Sequence, residues 1–146
     1  MSSEPIVVQA VYDAPILTVW NAITDPALMR RWFFREMEEF QPQVGFETRF
    51  DVQCEGQVYP HLWKVTEVNR PQRIAYDWHY GGYPGESNVC WDLTQTASGT
   101  TLNLTHRVIE PFPADNPIFS RDSGVAGWTY FIQGSLKDFL ISRDHW

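Results

Sequence analysis

The sequence predicts an α+β fold: a curved antiparallel β-sheet wrapped on a long C-terminal α-helix, with two short helices after the first strand. Three observations predict it. From about Phe40 to Val108, apolar and polar residues alternate with a period of two, strand after strand. Clusters of Gly and Pro separate these runs, so short turns link them into an antiparallel meander with one apolar face. After Ser123 the period changes. Val125, Trp128, Phe131, Ile132, Leu136, Phe139 and Leu140 recur at steps of three and four up to Ser142, and share one helical face. A sheet with a single apolar face needs such a rod to lie on it.

The elements follow in order. Ile6 to Tyr12 is a β-branched strand, stopped by Asp13-Ala14-Pro15, with Pro15 placed in the first turn of a helix that carries Ile16, Val19, Trp20 and Ile23. Thr24-Asp25-Pro26 ends that helix and begins a second, Ala27 to about Phe33, capped by Asp25. Trp20 and Trp32 are expected to anchor the two helices to the sheet. In the meander the inward sets are Phe46, Thr48, Phe50 and Val52; His61, Trp63 and Val65; Ile74, Tyr76, Trp78 and Tyr80; Val89, Trp91 and Leu93; and Leu102, Leu104, His106 and Val108. Turns fall at Asn69-Arg70-Pro71, Gly81 to Gly85 and Ala97-Ser98-Gly99. Glu110 to Arg121 is a proline-bearing connection whose Phe112, Ile118 and Phe119 suit a lid over a cavity mouth or a homodimer contact. Asp122 or Ser123 is placed to cap the long helix.

Composition narrows the function. The 146 residues are expected to form one domain, 1–146, large enough to bury a core without metal or disulfide staples. A net charge of −7 argues against nucleic acid and against an anionic membrane surface. No apolar run reaches the length of a membrane span and Met1-Ser2-Ser3-Glu4 opens no signal peptide, so a cytoplasmic protein is expected. Cys54 and Cys90 fall on opposite faces of the sheet and have no neighbour at metal-ligand spacing; both are expected to be free thiols. Aromatic residues are abundant at 15%, including seven Trp, which means either an unusually ring-packed core or an aromatic cavity.

The run Tyr12-Asp13-Ala14-Pro15, Val19-Trp20, Ala22 to Pro26 and Arg31-Trp32-Phe33 resembles the opening of the START-like (SRPBCC) superfamily. Further matches are Gly45 to Phe50, Val65 to Val68 with Pro71 and Arg73-Ile74, Gly99 to His106, and Gly127-Trp128. The branch it is most similar to holds the homologues of the C-terminal domain of the ninety-kilodalton heat-shock protein ATPase activator. The resemblance covers roughly Ile6 to Leu140 and implies the helix-grip fold. It also implies a cavity between sheet and long helix in which relatives bind apolar ligands. Relatives with cyclase or hydrolase-like activity use polar residues inside that pocket. The 146 residues are expected to hold no second domain like the one the eukaryotic activator uses to engage the chaperone. That ranks docking to a chaperone through the outer surface below ligand binding.

Alternation independently lists what would line such a cavity: His61, Trp63, Tyr76, Trp78, Tyr80, Trp91, Leu104 and His106 from the sheet, and Trp128, Phe131 and Ile132 from the helix, with Gly124 and Gly127 opening space beside them. The competing reading is that the same rings fill a solid core. His61 and His106 are the candidate orienting or acid–base groups, since neutral imidazole offers one donor and one acceptor. His79 and His145 read as surface residues. Asp51, Asp77 and Asp92 point outward, and no glycine-rich phosphate loop, serine elbow or metal-ligand spacing is present. The expected partner is a small hydrophobic or aromatic molecule, with no cofactor and no metal. A carrier or sensor, an enzyme using His61 or His106, and a chaperone co-factor are the three readings carried forward.

Overall fold

A computed structural model describes residues 4–142; His145 lies outside them. Six strands form one antiparallel sheet in the order β1-β6-β5-β4-β3-β2: β1 Ile6–Tyr12, β2 Glu47–Cys54, β3 Gln57–Asn69, β4 Arg73–Tyr80, β5 Glu86–Thr96 and β6 Gly99–Glu110. Two short helices, α1 Ile16–Thr24 and α2 Pro26–Trp32, follow the first strand. The C-terminal helix spans 121–141 and lies across the inner face of the sheet. This is the α+β helix-grip architecture.

Local chemistry accounts for most boundaries. Asp25 accepts the Ala27 N–H at 2.9 Å with Pro26 in the first turn, as a capped helix start requires. Pro15 stands one position earlier than expected, at the N-cap of α1, so that helix begins at Ile16 without a side-chain cap. The C-terminal helix is capped by neither Asp122 nor Ser123. Ser120 accepts the Ser123 N–H at 3.1 Å, immediately after a 3₁₀ turn at Pro117–Phe119. Strand pairing does not extend back to Phe40, because residues 41–46 form a loop ahead of β2. A two-residue turn joins β2 to β3: Glu55 (φ 52°) and Gly56 (φ 79°) both take left-handed backbone conformations, as a tight hairpin demands.

The C-terminal helix is not uniformly α-helical. Tyr130–Ser135 is a π turn, in which the Leu136 N–H reaches back to the Phe131 carbonyl. The Ile132 carbonyl then accepts the Tyr12 hydroxyl at 2.6 Å, which stitches the helix to β1. Burial drives the Tyr12 pKa up, so the hydroxyl stays a donor. Tyr12→Phe should destabilise the protein by about 1–3 kcal/mol, because a buried carbonyl loses its partner while no volume is lost; urea denaturation reads this directly. A cost below 0.5 kcal/mol, on the order of measurement error, would mean that the helix carbonyl finds another donor.

Two residues expected on the buried faces are exposed. Val125 is 38% exposed because the first half of the helix stands off the sheet, and Val108 is 42% exposed because β6 runs past the core there. Trp20 and Trp32 are both buried, and the Trp32 indole N–H donates to the Ala22 carbonyl at 2.8 Å, tying α2 to α1. Two arginines in the last turn of α2 make specific contacts. Arg30 donates to the Met37 and Glu38 carbonyls at 3.1 Å each, and the Arg31 guanidinium lies 5.1 Å over the Phe139 ring. No helix among the described residues is long and apolar enough to cross a membrane.

Candidate functional site

A cavity of about 330 Å³ lies between the inner sheet face and the first half of the C-terminal helix. Eight residues expected from alternation and helical spacing reach its wall: His61, Trp78, Tyr80, His106, Gly124, Gly127, Trp128 and Phe131. The other five do not. Trp63, Tyr76, Trp91, Leu104 and Ile132 belong to the packed core.

Phe33 and Phe34 explain the division. They follow α2 directly and push their rings between sheet and helix. The Phe33 ring lies 4.8 Å from Phe131, 5.7 Å from Trp91, 5.8 Å from Trp63 and 5.9 Å from Trp128. The Phe34 ring lies 5.1 Å from both Phe50 and His61 and 5.3 Å from Phe131, and it forms the cavity floor. Rings fill the space between sheet and helix at the α1–α2 end, and the cavity lies toward the other end.

Phe34, Gln53, Cys54, Tyr59 and Ser123 also reach the wall and were not among the expected residues. Val52 and Cys54 extend the inward parity of Phe50, and Tyr59 extends that of His61, so the strand pattern carried their signal. Ile118 and Phe119 close one side of the cavity. They belong to the proline-bearing connection, where Asn116 caps the 3₁₀ turn and donates to the Tyr59 hydroxyl at 3.3 Å. On the far side of Ile118 and Phe119 is a second apolar cavity of about 380 Å³, which shares Tyr80, His106 and Gly124 with the first.

The two glycines differ. A Cβ at Gly127 would meet no atom within 4 Å, so the helix backbone opens there onto free space. At Gly124 the expected space is taken: a Cβ would stand 2.8 Å from Cδ1 of Ile6.

Hydrogen bonds fix the state of both inward histidines. His61 Nδ1 lies 2.8 Å from the Tyr59 carbonyl, which can only accept, so Nδ1 carries the proton and Nε2 a free lone pair. The Trp128 indole N–H donates to His106 Nδ1 at 2.9 Å, so the His106 proton resides on Nε2. That Nε2–H is buried without a partner, a state that costs about 1–3 kcal/mol. Burial pushes the pKa of each imidazole down to about 4; for His61 the Tyr59 hydrogen bond and the Asp51 charge oppose the shift only in part. Both rings are neutral at pH 7. Burial likewise pushes the Tyr80 phenol up to about 12, against a lowering by Trp78.

The carboxylates and His79 lie away from the cavity wall. Asp92 pairs with Arg73 at 2.8 Å and Asp77 accepts from Asn88 at 3.1 Å, both on the outer face, while His79 lies 3.4 Å from Glu86 and stays half-exposed. Cys54 and Cys90 are free; Cys90 is outward, and burial pushes its thiol up to about 12. Among the described residues no group of three His, Cys, Asp or Glu could hold a metal ion. What the wall offers is apolar contact area, two neutral imidazoles, the phenols of Tyr59 and Tyr80, and the small polar groups of Gln53, Cys54 and Ser123.

Known structures share this architecture. A Mesorhizobium loti protein is 25% identical and matches 94% of this chain and 97% of its own, with a TM-score of 0.73. CalU16 from Micromonospora echinospora is 26% identical over 97% of this chain and 78% of its own, with a TM-score of 0.66. DynU16, from the dynemicin biosynthetic locus, is 24% identical with a TM-score of 0.77; 97% of this chain matches 49% of DynU16, a likeness of fold alone. The chain thus spans about half the length of DynU16. No curated protein matches the chain. The model of one family matches residues 13–140, from the end of β1 into the last turns of the C-terminal helix, and the chain belongs to that family, the activator of Hsp90 ATPase homolog 1-like proteins.

Proposed function

We propose that this protein binds a small, neutral, mainly apolar molecule in the cavity between sheet and C-terminal helix, as a carrier or sensor. The observation that carries the reading is the cavity wall itself, in which aromatic side chains surround two neutral histidines and the open backbone of Gly127. Desolvation would drive binding. Burying about 200–300 Å² of ligand apolar surface at ~25 cal/mol per Å² yields a gross 5–7 kcal/mol before ordering costs. Phe34 limits depth, so the volume suits a compact ring system rather than a long chain.

A thermal-shift screen of fatty acids, sterols, polyketide-like aromatics and flavonoids tests this. A true ligand at a hundred times its Kd adds about 2.7 kcal/mol, or roughly 5–10 °C. Gly127→Leu should abolish that shift by filling the cavity while leaving Tm equal or higher, since the side chain meets free space and glycine is a poor helix former. A shift that persists in Gly127→Leu would move the ligand out of this cavity. No shift across the panel would count against ligand binding and direct attention to the outer surface and a protein partner. Turnover of a bound ligand, lost in folded His61→Ala or His106→Ala, would replace the carrier reading with an enzyme.

A further inference from the structure

We infer that the cavity selects a neutral molecule of defined polarity, with a hydrogen-bond donor presented to His61 Nε2 and an acceptor presented to His106 Nε2–H. This rests on the ligand-binding reading and adds to it the polarity of the ligand's two polar groups.

The argument is one of fixed tautomers. A backbone carbonyl has no proton to give, so the Tyr59 oxygen at 2.8 Å commits His61 Nδ1 to donating and leaves Nε2 able only to accept. An indole N–H cannot accept, so Trp128 at 2.9 Å commits His106 Nδ1 to accepting and leaves Nε2 able only to donate. Neither ring can exchange its role without giving up its protein partner. The two rings flank Trp78, at 5.5 Å and 6.0 Å between centroids, and all three line the cavity. His106 Nε2 has no partner in the protein, and no donor among the described residues reaches His61 Nε2. The Tyr80 hydroxyl also borders the cavity but can donate or accept, so it does not discriminate. A carboxylate supplies no donor for His61, and an ammonium supplies no acceptor for His106. Either ion would also enter a wall that offers no countercharge. A hydroxyl or N–H at one end and a carbonyl-type oxygen at the other satisfies both.

Four probes on one scaffold test the inference: a naphthol, an acetylnaphthalene, a hydroxy-acetylnaphthalene with its groups on opposite rings, and the matching hydroxynaphthoate. Binding is read by tryptophan-fluorescence quenching and calorimetry with the wild-type protein, His61→Leu, His106→Leu and Gly127→Leu. The hydroxy-ketone should bind the wild type about tenfold more tightly than either singly substituted probe. It should also bind about tenfold more tightly than the anion. His61→Leu should erase the advantage of the hydroxyl and keep that of the ketone; His106→Leu should do the reverse. Where a leucine variant does not fold, the glutamine variant replaces it, and its amide, able to donate and accept, should blur the preference. If the four probes bind within twofold of one another and Gly127→Leu blocks them all, the polarity is overturned and the ligand-binding reading stands. A hydroxyl preference that survives loss of His61 also overturns the polarity. If no probe binds, both fall.

Discussion

Acidification from pH 7 to pH 4 should cost this protein about 3 kcal/mol from each of His61 and His106, because folding holds both imidazoles neutral. The unfolded chain binds their protons at about pH 6.5, whereas the folded protein resists until about pH 4. Between those values the unfolded state carries more protons, so stability falls as pH falls. Above pH 6.5 neither state is protonated and the contribution is constant; below about 4 the loss is complete. Asp51 is the one charge that raises the His61 value, and it does so from the outer face, so it narrows the window without reversing it. Burial alone causes the His106 shift: Trp78 and Trp128 pack against its ring, and Glu4 and Arg121, which line the second cavity beside it, contribute nothing to it. Urea denaturation at half-unit pH steps would show the slope, and a His61→Gln, His106→Gln double variant should flatten it. An unchanged slope in the double variant would place the pH dependence in the carboxylates and remove the basis for two neutral rings.

The same two residues show how far the sequence could be read. Strand alternation placed His61 and His106 on the inner face because a period of two needs only local geometry, and the register of β3 with β4 and of β5 with β6 preserves it. It could not place the protons. Those depend on the Tyr59 carbonyl, two residues away on the same strand, and on Trp128, which only the folded helix brings to His106. Parity likewise cannot say how deep along a strand a cavity reaches. Trp63 and His61 share a face and a strand, yet only His61 meets open space, because Phe34 stands between sheet and helix at that level. Phe33 was expected only as the end of the second helix and Phe34 carried no periodic signal: both lie past Trp32, where helical spacing stops and strand spacing has not begun. The helix cap moved to Ser120 for a related reason. The 3₁₀ turn at Pro117–Phe119 hands its chain directly to the helix, and several residues there are competent caps.

The ring pair also produces a sharp mutational contrast. Phe33→Ala should destabilise the protein by about 3–5 kcal/mol, near the upper end for a single core substitution. Its ring is 8% exposed and meets rings from the sheet, from α2 and from the C-terminal helix at once, so no single neighbour can move in to fill the space. The Trp63 indole N–H lies buried without a partner in this ring-packed region, and the Tyr76 hydroxyl and the Trp91 indole N–H have at best each other. Dispersion contact with their neighbours is what offsets that burial, and removing Phe33 takes much of it away. Phe34→Ala should cost less, about 1–3 kcal/mol, because one side of that ring already borders open space. It should instead deepen the cavity toward Trp63 and shift ligand preference to larger ring systems. Chemical denaturation separates the two variants, and the thermal-shift panel reads the change in ligand size. Equal costs for the two substitutions would mean that the cavity floor lies elsewhere, and a Phe33→Ala cost below about 1.5 kcal/mol would mean that the space between sheet and helix closes without its ring.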